Sequence, residues 1–481
     1  MTIETTKGGL GGGSGIWRRK PVAPESDEQV GGLRRSIGLV QLTAIGIGAI
    51  IGAGIFSLAG TVANGVAGPA VSVSFVIAGI ASACAALSYA EFGGLIPHAG
   101  SAYTYGYAVL GEFTGWLIGW DLLLEYTAIV AVVAIGISGY FSFLLTDLGV
   151  ALPAWMLGAP GTGAGHRVDL IAVLLCLLVA LLLSRGIRTG ARIETGLVAV
   201  KLTIVLAVIV VGAFHITAGN FHPYFPYGFG GAVTGAATVF FAVFGYDAMS
   251  TAAEESKDAQ RIMPRAIVLS LSIAMVLYLL ACTVLTGMQK YTEIDRTSAF
   301  AVAFRSVGLP VFADVVAVGA IVGIVTVLFS FLLGASRVWF AISRDGLLPG
   351  WFARTHPRTK APYRPTWILG FVAAALAGFV PINAAAELTN IGILVAFIVV
   401  SASVIVLRYR SPELPRTFRT PLMPFTPLLG IAFSVWLITQ LQVVTWIRFA
   451  VWALLGLVLY GTYGYRHSKL GRGVVVHTED A

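Results

Sequence analysis

The chain has 481 residues, of which 57% are hydrophobic and 11% are charged, and its formal net charge is +8. A soluble domain carries about 25% charged residues. This chain therefore cannot cover a water-facing surface, which excludes a soluble enzyme, a nucleic-acid-binding protein and a secreted disulfide scaffold. Its apolar runs are continuous over about 18–25 residues, long enough to cross a hydrocarbon core of about 30 Å, and they lack the alternation of transmembrane β-strands. The composition predicts an all-α polytopic membrane protein.

The two ends of the chain are polar. Residues 1–35 are rich in glycine and basic residues and predict a disordered leader, and residues 466–481 predict a short tail. No secretory signal peptide is visible. The three cysteines, Cys84, Cys176 and Cys282, lie inside apolar runs without a disulfide or metal-binding spacing. They predict buried packing residues, and we expect neither a metal nor another cofactor.

Between these ends we predict a domain of about twelve transmembrane helices, covering residues 36–465. The predicted spans are 36–62, 70–95, 108–140, 168–185, 193–216, 231–255, 265–288, 310–342, 366–381, 385–407, 425–443 and 445–465. With the N-terminus inside, 25 of the 31 Lys and Arg residues fall on the cytoplasmic side and five on the outer side. This bias predicts a protein of the inner or plasma membrane with both termini in the cytoplasm.

Spans one and six are interrupted. Residues 46–56 hold four glycines, and residues 240–250 hold a glycine and an acid at mid-span. These spans open two halves of five helices, about 36–216 and 231–407, which are followed by two further helices at about 425–465. Interrupted segments at corresponding positions of two halves indicate the binding site of a transporter. The repeat is inferred from position alone.

The first interruption predicts a site for charged groups. A break at Gly52–Gly54 frees backbone amides at the start of the second half-helix, where the helix dipole favours a carboxylate. Carbonyl groups near Ile50 and Ile51, at the end of the first half-helix, suit an ammonium group. The alternative is close helix packing, because Gly48 and Gly52 form a GxxxG pair.

The second interruption supplies aromatic side chains and an acid. Carbonyl groups at Phe241, Ala242 and Phe244 could accept an α-ammonium group, and the rings could enclose a substrate side chain. The alternative is that these phenylalanines face lipid or the protein core. A purely structural role explains Asp247 less well, because a carboxylate at mid-membrane is energetically costly and needs a partner.

Lys201 lies about nine positions after Arg192, which begins span five. At about 1.5 Å per residue this places it about 14 Å deep, beyond the reach of snorkelling. Its ammonium group needs a carboxylate, carbonyl groups or loss of its proton. We favour a role in coupling to protonation. The alternative is a static clamp between helix five and helix one.

Asp121 and Glu125 lie four residues apart in span three and therefore share one helix face. Two buried acids on one face suggest a polar pathway in which one acid holds a proton. Glu125 could instead bind a cationic substrate side chain. The alternative for both is hydrogen bonding to the backbone of a neighbouring helix. No nucleophile–base pair, phosphate-binding loop or metal spacing appears, so we predict neither an enzyme nor an ATP-driven pump.

These segments, together with Lys257–Arg261 and Ala341–Pro349, resemble the amino acid–polyamine–organocation superfamily, and more narrowly bacterial members of the cationic amino acid transporter family. The resemblance covers roughly 36–465. It implies inverted five-helix repeats, and proton coupling through the lysine at position 201. It implies that the substrate's carboxylate and amine are held by Ile50, Ile51, Gly52, Ala53 and Gly54 from one side and by Phe241, Ala242 and Phe244 from the other.

The leading hypothesis is a proton-coupled amino acid importer that works by alternating access. Glu125 and Asp247 suit cationic substrates, whereas the aromatic cluster and Ala53 suit small neutral ones. An exchanger of amino acids or amines without net proton movement is the alternative. A non-transporting receptor and a channel are less favoured, because no output domain and no carbonyl filter are evident. The expected partners are the amino acid, protons and the lipid bilayer, with a monomer unless a small membrane subunit associates.

Overall fold

The computed structural model describes most of the chain, at residues 15–19, 37–95, 101–186, 191–247, 249, 256–356, 361–414 and 416–472. The helices in these ranges are α1 (Leu39–Ile50), α2 (Ala59–Val62), α3 (Val71–Leu95), α4 (Ser101–Val109), α5 (Glu112–Asp147), α6 (Leu170–Ser184), α7 (Ala191–Ala213), α8 (Gly228–Val239), α9 (Ala259–Met288), α10 (Ala299–Ser306), α11 (Pro310–Arg344), α12 (Tyr363–Phe379), α13 (Ile382–Arg410), α14 (Phe425–Thr439), α15 (Val443–Leu459) and α16 (Tyr465–His467). No β-strand occurs in the described part of the chain.

Many of these helices have the length and composition of membrane spans. Seven helical stretches of the described residues are long and apolar enough to cross a bilayer. Three further apolar helices are shorter, at Leu170–Ser184, Gly228–Ala242 and Phe425–Thr439. The prediction of an all-α, multi-pass membrane protein is confirmed. The number of twelve spans stays a prediction.

Helix α5 is the centre of the fold. Every residue from Ile118 to Ser138 is buried, and the helix packs against α11, α13, α12, α4, α6 and α15. A helix that is apolar on all sides is expected in such a core position. Around it α3 packs against α9, α6 against α12, and α1 against both α7 and α9.

The predicted interruptions of spans one and six are present. Helix α1 ends at Ile50, and Ile51 has extended backbone with φ −76° and ψ 103°. Helical structure resumes as a π-helical turn at Gly54–Leu58, which leads into α2. Helix α8 tightens into a 3₁₀ turn at Phe240–Ala242 and then ends. The glycines and the acid that marked these two segments in the sequence therefore coincide with breaks in the helices.

The first residue of α5, Glu112, contacts residues near both ends of the described structure. Glu112 is fully buried and accepts hydrogen bonds from Tyr107, Tyr460 and Ser468. Arg18 pairs with the same carboxylate, with 3.5 Å between nitrogen and oxygen. Residues 15–19 of the predicted leader thus pack against the rest of the chain. The remainder of the leader lies outside the described residues, as do residues 473–481 of the tail.

Candidate functional site

The two helix breaks touch each other through glycines. A Cβ atom at Gly54 would lie 2.4 Å from the Cβ of Ala242 and 2.6 Å from its Cα. Gly245 has φ +114°, and a Cβ there would lie 2.8 Å from the carbonyl oxygen of Ala49. Gly245 combines a positive φ with this close backbone approach, so only glycine fits there. The glycines let the ends of α1 and α8 meet without an intervening side chain.

A small cavity, with room for about one water molecule, lies between the breaks. Its lining consists of Ala49, Ile50, Gly52, Ala53, Gly54, Ile129, Val133, Phe241, Phe244, Val327 and Phe331. None of these side chains is polar, so the polar contacts that the described lining residues can offer come from the backbone. Helix starts have amides without acceptors inside the helix, and helix ends have carbonyls without internal donors. The site therefore combines backbone groups suited to a zwitterion with walls suited to an apolar side chain.

The structure divides the predicted site residues into two groups. Six of them line the cavity: Ile50, Gly52, Ala53, Gly54, Phe241 and Phe244. The other predicted contacts, Ile51, Ala242, Asp247 and Glu125, do not line it. Phe241 and Phe244 are 6% and 3% exposed, so both rings are enclosed within the protein rather than turned to lipid.

Four further lining residues come from uninterrupted helices that the sequence did not single out. Ile129 and Val133 lie on α5, and Val327 and Phe331 lie on α11. Their residue types are the same as those that face lipid elsewhere in the chain. Only their own burial between α5 and α11, with exposed fractions of 4% or less, distinguishes them.

Lys201 holds the end of α1. Its side chain is 0% exposed, and Nζ donates to the carbonyl oxygens of Gly48 at 2.7 Å and Ile51 at 2.6 Å. Nζ also donates to Thr326 Oγ1 on α11 at 3.4 Å. The last carbonyls of a helix carry the negative end of its dipole, so an ammonium group is stabilised there. At Gly323 a Cβ would lie 3.2 Å from Cγ of the lysine, so the glycine leaves room for the lysine stem.

Two polar residues that the sequence reasoning missed hold other carbonyls at the breaks. The Tyr278 hydroxyl on α9 donates to the carbonyl of Ile50 at 2.8 Å. Asn390 Nδ2 on α13 donates to the carbonyls of Ala237 at 2.7 Å and Thr238 at 3.1 Å, near the end of α8. A polar residue inside an apolar span is the signal that could have identified both.

The acids Asp121, Glu125 and Asp247 are not among the residues that line the cavity. Asp247 Oδ2 accepts a hydrogen bond of 2.8 Å from the hydroxyl of Tyr126. The ring of Tyr126 contacts the cavity-lining Phe331 edge-on, with centroids 5.2 Å apart. Glu125 is buried and interacts electrostatically with both Asp247 and Asp121. The ring of Tyr126 thus connects Asp247 with the cavity-lining Phe331.

The comparisons with known proteins agree on a family. Residues 37–460 match the family described as amino acid permease. A methylthioribose transporter of Bacillus subtilis (strain 168) is 42% identical over 460 residues, which is 95% of this chain and 100% of the relative. The branched-chain amino acid permease BcaP of the same organism is 42% identical over 464 residues, 95% of this chain and 99% of the relative. The vacuolar cationic amino acid transporter 4 of Arabidopsis thaliana is 37% identical over 387 residues, 79% of this chain and 64% of the relative.

Proposed function

The chain belongs to the amino acid permease family, within the amino acid–polyamine–organocation superfamily, and we propose that it imports neutral amino acids with apolar side chains by proton symport across the bacterial plasma membrane. The observation that carries the proposal is the cavity between the two helix breaks, where every side chain of the described lining is apolar. A similar relative is named as a branched-chain amino acid permease, which fits such a lining. Glu125 and Asp247, whose carboxyl groups suit a cationic substrate, are not among the residues that line the cavity.

Each part of the substrate has a matching group in this proposal. The α-carboxylate binds the amides at Gly52–Gly54, where the second half of the broken helix begins. The α-amine binds carbonyls at Phe241 and Phe244, which line the cavity, and the side chain lies between α5 and α11. The carbonyls of Ile50 and Ile51 already accept from Tyr278 and Lys201, so their part is to fix the end of α1.

The proposed architecture is twelve spans with an inverted repeat and both termini in the cytoplasm. In it α1 with α2, α3, α5, α6 and α7 correspond to α8, α9, α11, α12 and α13. Helix contacts support this correspondence. Helix α1 contacts α9, and their counterparts α8 and α3 are also in contact. In the same way α5 contacts α13, and their counterparts α11 and α7 are in contact. The short helices α4 and α10 also precede corresponding members, α5 and α11.

Proton coupling is assigned to Lys201. While protonated, the ammonium group binds the carbonyls of Gly48 and Ile51 and holds the end of α1 against α7. Loss of the proton removes the charge and weakens this hold, so that α1 can tilt and open the site to one side of the membrane. Alternating access then follows the protonation state, which is how a proton gradient drives uptake.

The test is uptake by purified protein in proteoliposomes. Labelled leucine, alanine and arginine are supplied with and without an inward proton gradient. We compare the parent, Lys201→Ala, and the control Lys290→Ala, which removes an exposed lysine just before a short 3₁₀ turn. We expect gradient-driven accumulation of leucine and alanine by the parent and the control, and none by Lys201→Ala. Preferred uptake of arginine would contradict the substrate class.

The same assay separates a second candidate, an exchanger without net proton movement. This candidate is favoured by the contacts of Lys201, since an ammonium group bound to carbonyls also suits a permanent clamp. An exchanger shows uptake that internal substrate stimulates and that is unaffected by the pH gradient. In that case Lys201→Ala lowers protein stability and exchange together.

A further inference from the structure

Asp121 is an acid that does not line the cavity and takes part in none of the side-chain hydrogen bonds within the described ranges. It lies on α5, is 5% exposed, and neither carboxyl oxygen has a hydrogen-bond partner within the described ranges. The carboxyl group packs on the backbone of α13 at Gly392, where a Cβ would lie 2.8 Å from Oδ1. A side chain at position 392 would require this carboxyl group to shift. The acid is thus enclosed in the seam between two core helices.

The surroundings of Asp121 favour its neutral form. Burial of an ionised carboxylate without a partner is strongly unfavourable. The titratable acids and phenols on α5 and the elements packed against it are Tyr103, Tyr105, Tyr107, Glu112, Glu125, Tyr126, Tyr140, Asp147, Asp314, Tyr363, Glu387 and Tyr409, with Asp247 beside Glu125. The basic side chains on those elements that are described are Arg337, Arg344, Arg364, Arg408, Arg410 and Arg448, and none of them forms an ion pair with Asp121.

Helix α13 connects this seam to the substrate site. Asn390 lies two residues before Gly392 and donates to the carbonyls of Ala237 and Thr238 near the end of α8. A movement of α13 away from α5 therefore pulls on the second helix break. Charge on Asp121 would drive that movement, because water must reach the carboxylate to solvate it.

We propose that Asp121 is a proton-binding positioning residue, whose neutral carboxyl group allows α13 to close on α5 at Gly392 and so sets the position of the second helix break through Asn390. The proposal rests on the proposed transport function and adds to it a protonation site distinct from Lys201. The closed packing forms when Asp121 holds its proton and is released when the proton leaves.

The first test measures thermal unfolding of the purified full-length protein in detergent as a function of pH. We compare the parent with Asp121→Asn and Asp121→Ala, and use Asp258→Asn, whose side chain is 51% exposed, as the control. A group that is protonated in the fold loses stabilisation as pH rises. Both neutral variants lack this pH-dependent loss of stability. We therefore expect their thermal unfolding midpoints to rise relative to that of the parent as pH increases. A difference that stays constant with pH would indicate packing alone and overturn the proposal.

The second test measures leucine counterflow, which needs no proton gradient. Only parent protein that holds the proton on Asp121 can adopt the closed packing. At pH values above the pKa of Asp121 this fraction falls about tenfold per pH unit, and the counterflow rate falls with it. We expect the Asp121→Asn rate, normalised to its maximum, to fall less steeply than the parent rate over the same pH range, because only the dependence due to Lys201 remains in this variant. Equal pH profiles for parent and variant would overturn the proposal. If no protein transports any amino acid, the proposed function fails, while the unfolding experiment still decides the role of Asp121.

Discussion

The contact between the two helix breaks can be tested by adding one methyl group. In Gly54→Ala the new Cβ lies 2.4 Å from the Cβ of Ala242 and 2.6 Å from its Cα. Carbon atoms in favourable contact are about 3.5–4.0 Å apart, so one break must move about 1 Å relative to the other. Overpacking of this kind costs about 1–3 kcal/mol. If the cost falls on the substrate-bound conformation, apparent affinity drops about 5–150-fold.

The assay is concentration-dependent leucine uptake in proteoliposomes, with protein content and thermal unfolding measured for each variant. Gly52→Ala is the matched control, because its Cβ would lie 3.3 Å from a Val327 methyl group that can shift. We expect it to change KM less than about fivefold, which corresponds to under about 1 kcal/mol. Adding Ala242→Gly to Gly54→Ala removes the contact at 2.4 Å but leaves the one at 2.6 Å, so rescue should be partial. Equal effects of Gly54→Ala and Gly52→Ala would refute the reasoning.

Three further predictions concern the helix end, the termini and the cavity wall. Asn390→Leu removes two hydrogen bonds to the end of α8 and should destabilise the protein by about 1–3 kcal/mol. We expect a lower unfolding midpoint and slower uptake, and an unchanged midpoint would contradict the assigned hydrogen bonds. Glu112→Gln removes the buried charge that pairs with Arg18 and should lower the free energy of unfolding by about 1–3 kcal/mol. We expect faster proteolysis of the N-terminal segment, and unaltered proteolysis would show that the ion pair does not hold that segment. Ile129→Ala enlarges the cavity beside α5 and should shift competition from alanine toward larger apolar amino acids; an unshifted preference would mean that this wall does not touch the substrate.

The breaks in spans one and six were predictable because glycines and an aspartate are unusual inside apolar helices. The depth of Lys201 followed from residue spacing alone, and the structure places its ammonium group against helix carbonyls. The cavity wall was not predictable to the same degree. Val133 and Val327 have the residue types of lipid-facing positions, and only the tertiary packing of α5 and α11 shows that they line a cavity.

The acids illustrate a different limit. A spacing of four residues correctly puts Asp121 and Glu125 on one face of α5, but spacing does not reveal what that face meets. In the structure Asp121 meets the glycine backbone of α13, and Glu125 lies near Asp247. The ring of Tyr126 lies between Asp247 and the cavity-lining Phe331. Charge type therefore suggested a cationic substrate, while the packing supports an apolar one.

The two helix breaks are held by corresponding helices but by different chemistry. In the proposed repeat α7 corresponds to α13, so Lys201 and Asn390 perform equivalent tasks, each binding carbonyls near the end of a half-helix. The ammonium group can lose its charge, whereas the amide cannot. In the proposed mechanism, protonation therefore acts directly on the end of α1 but reaches the end of α8 only through a neighbour that moves α13. Asp121 lies against α13 at Gly392, so the two proposed protonation sites would together give each half of the transporter its own response to pH.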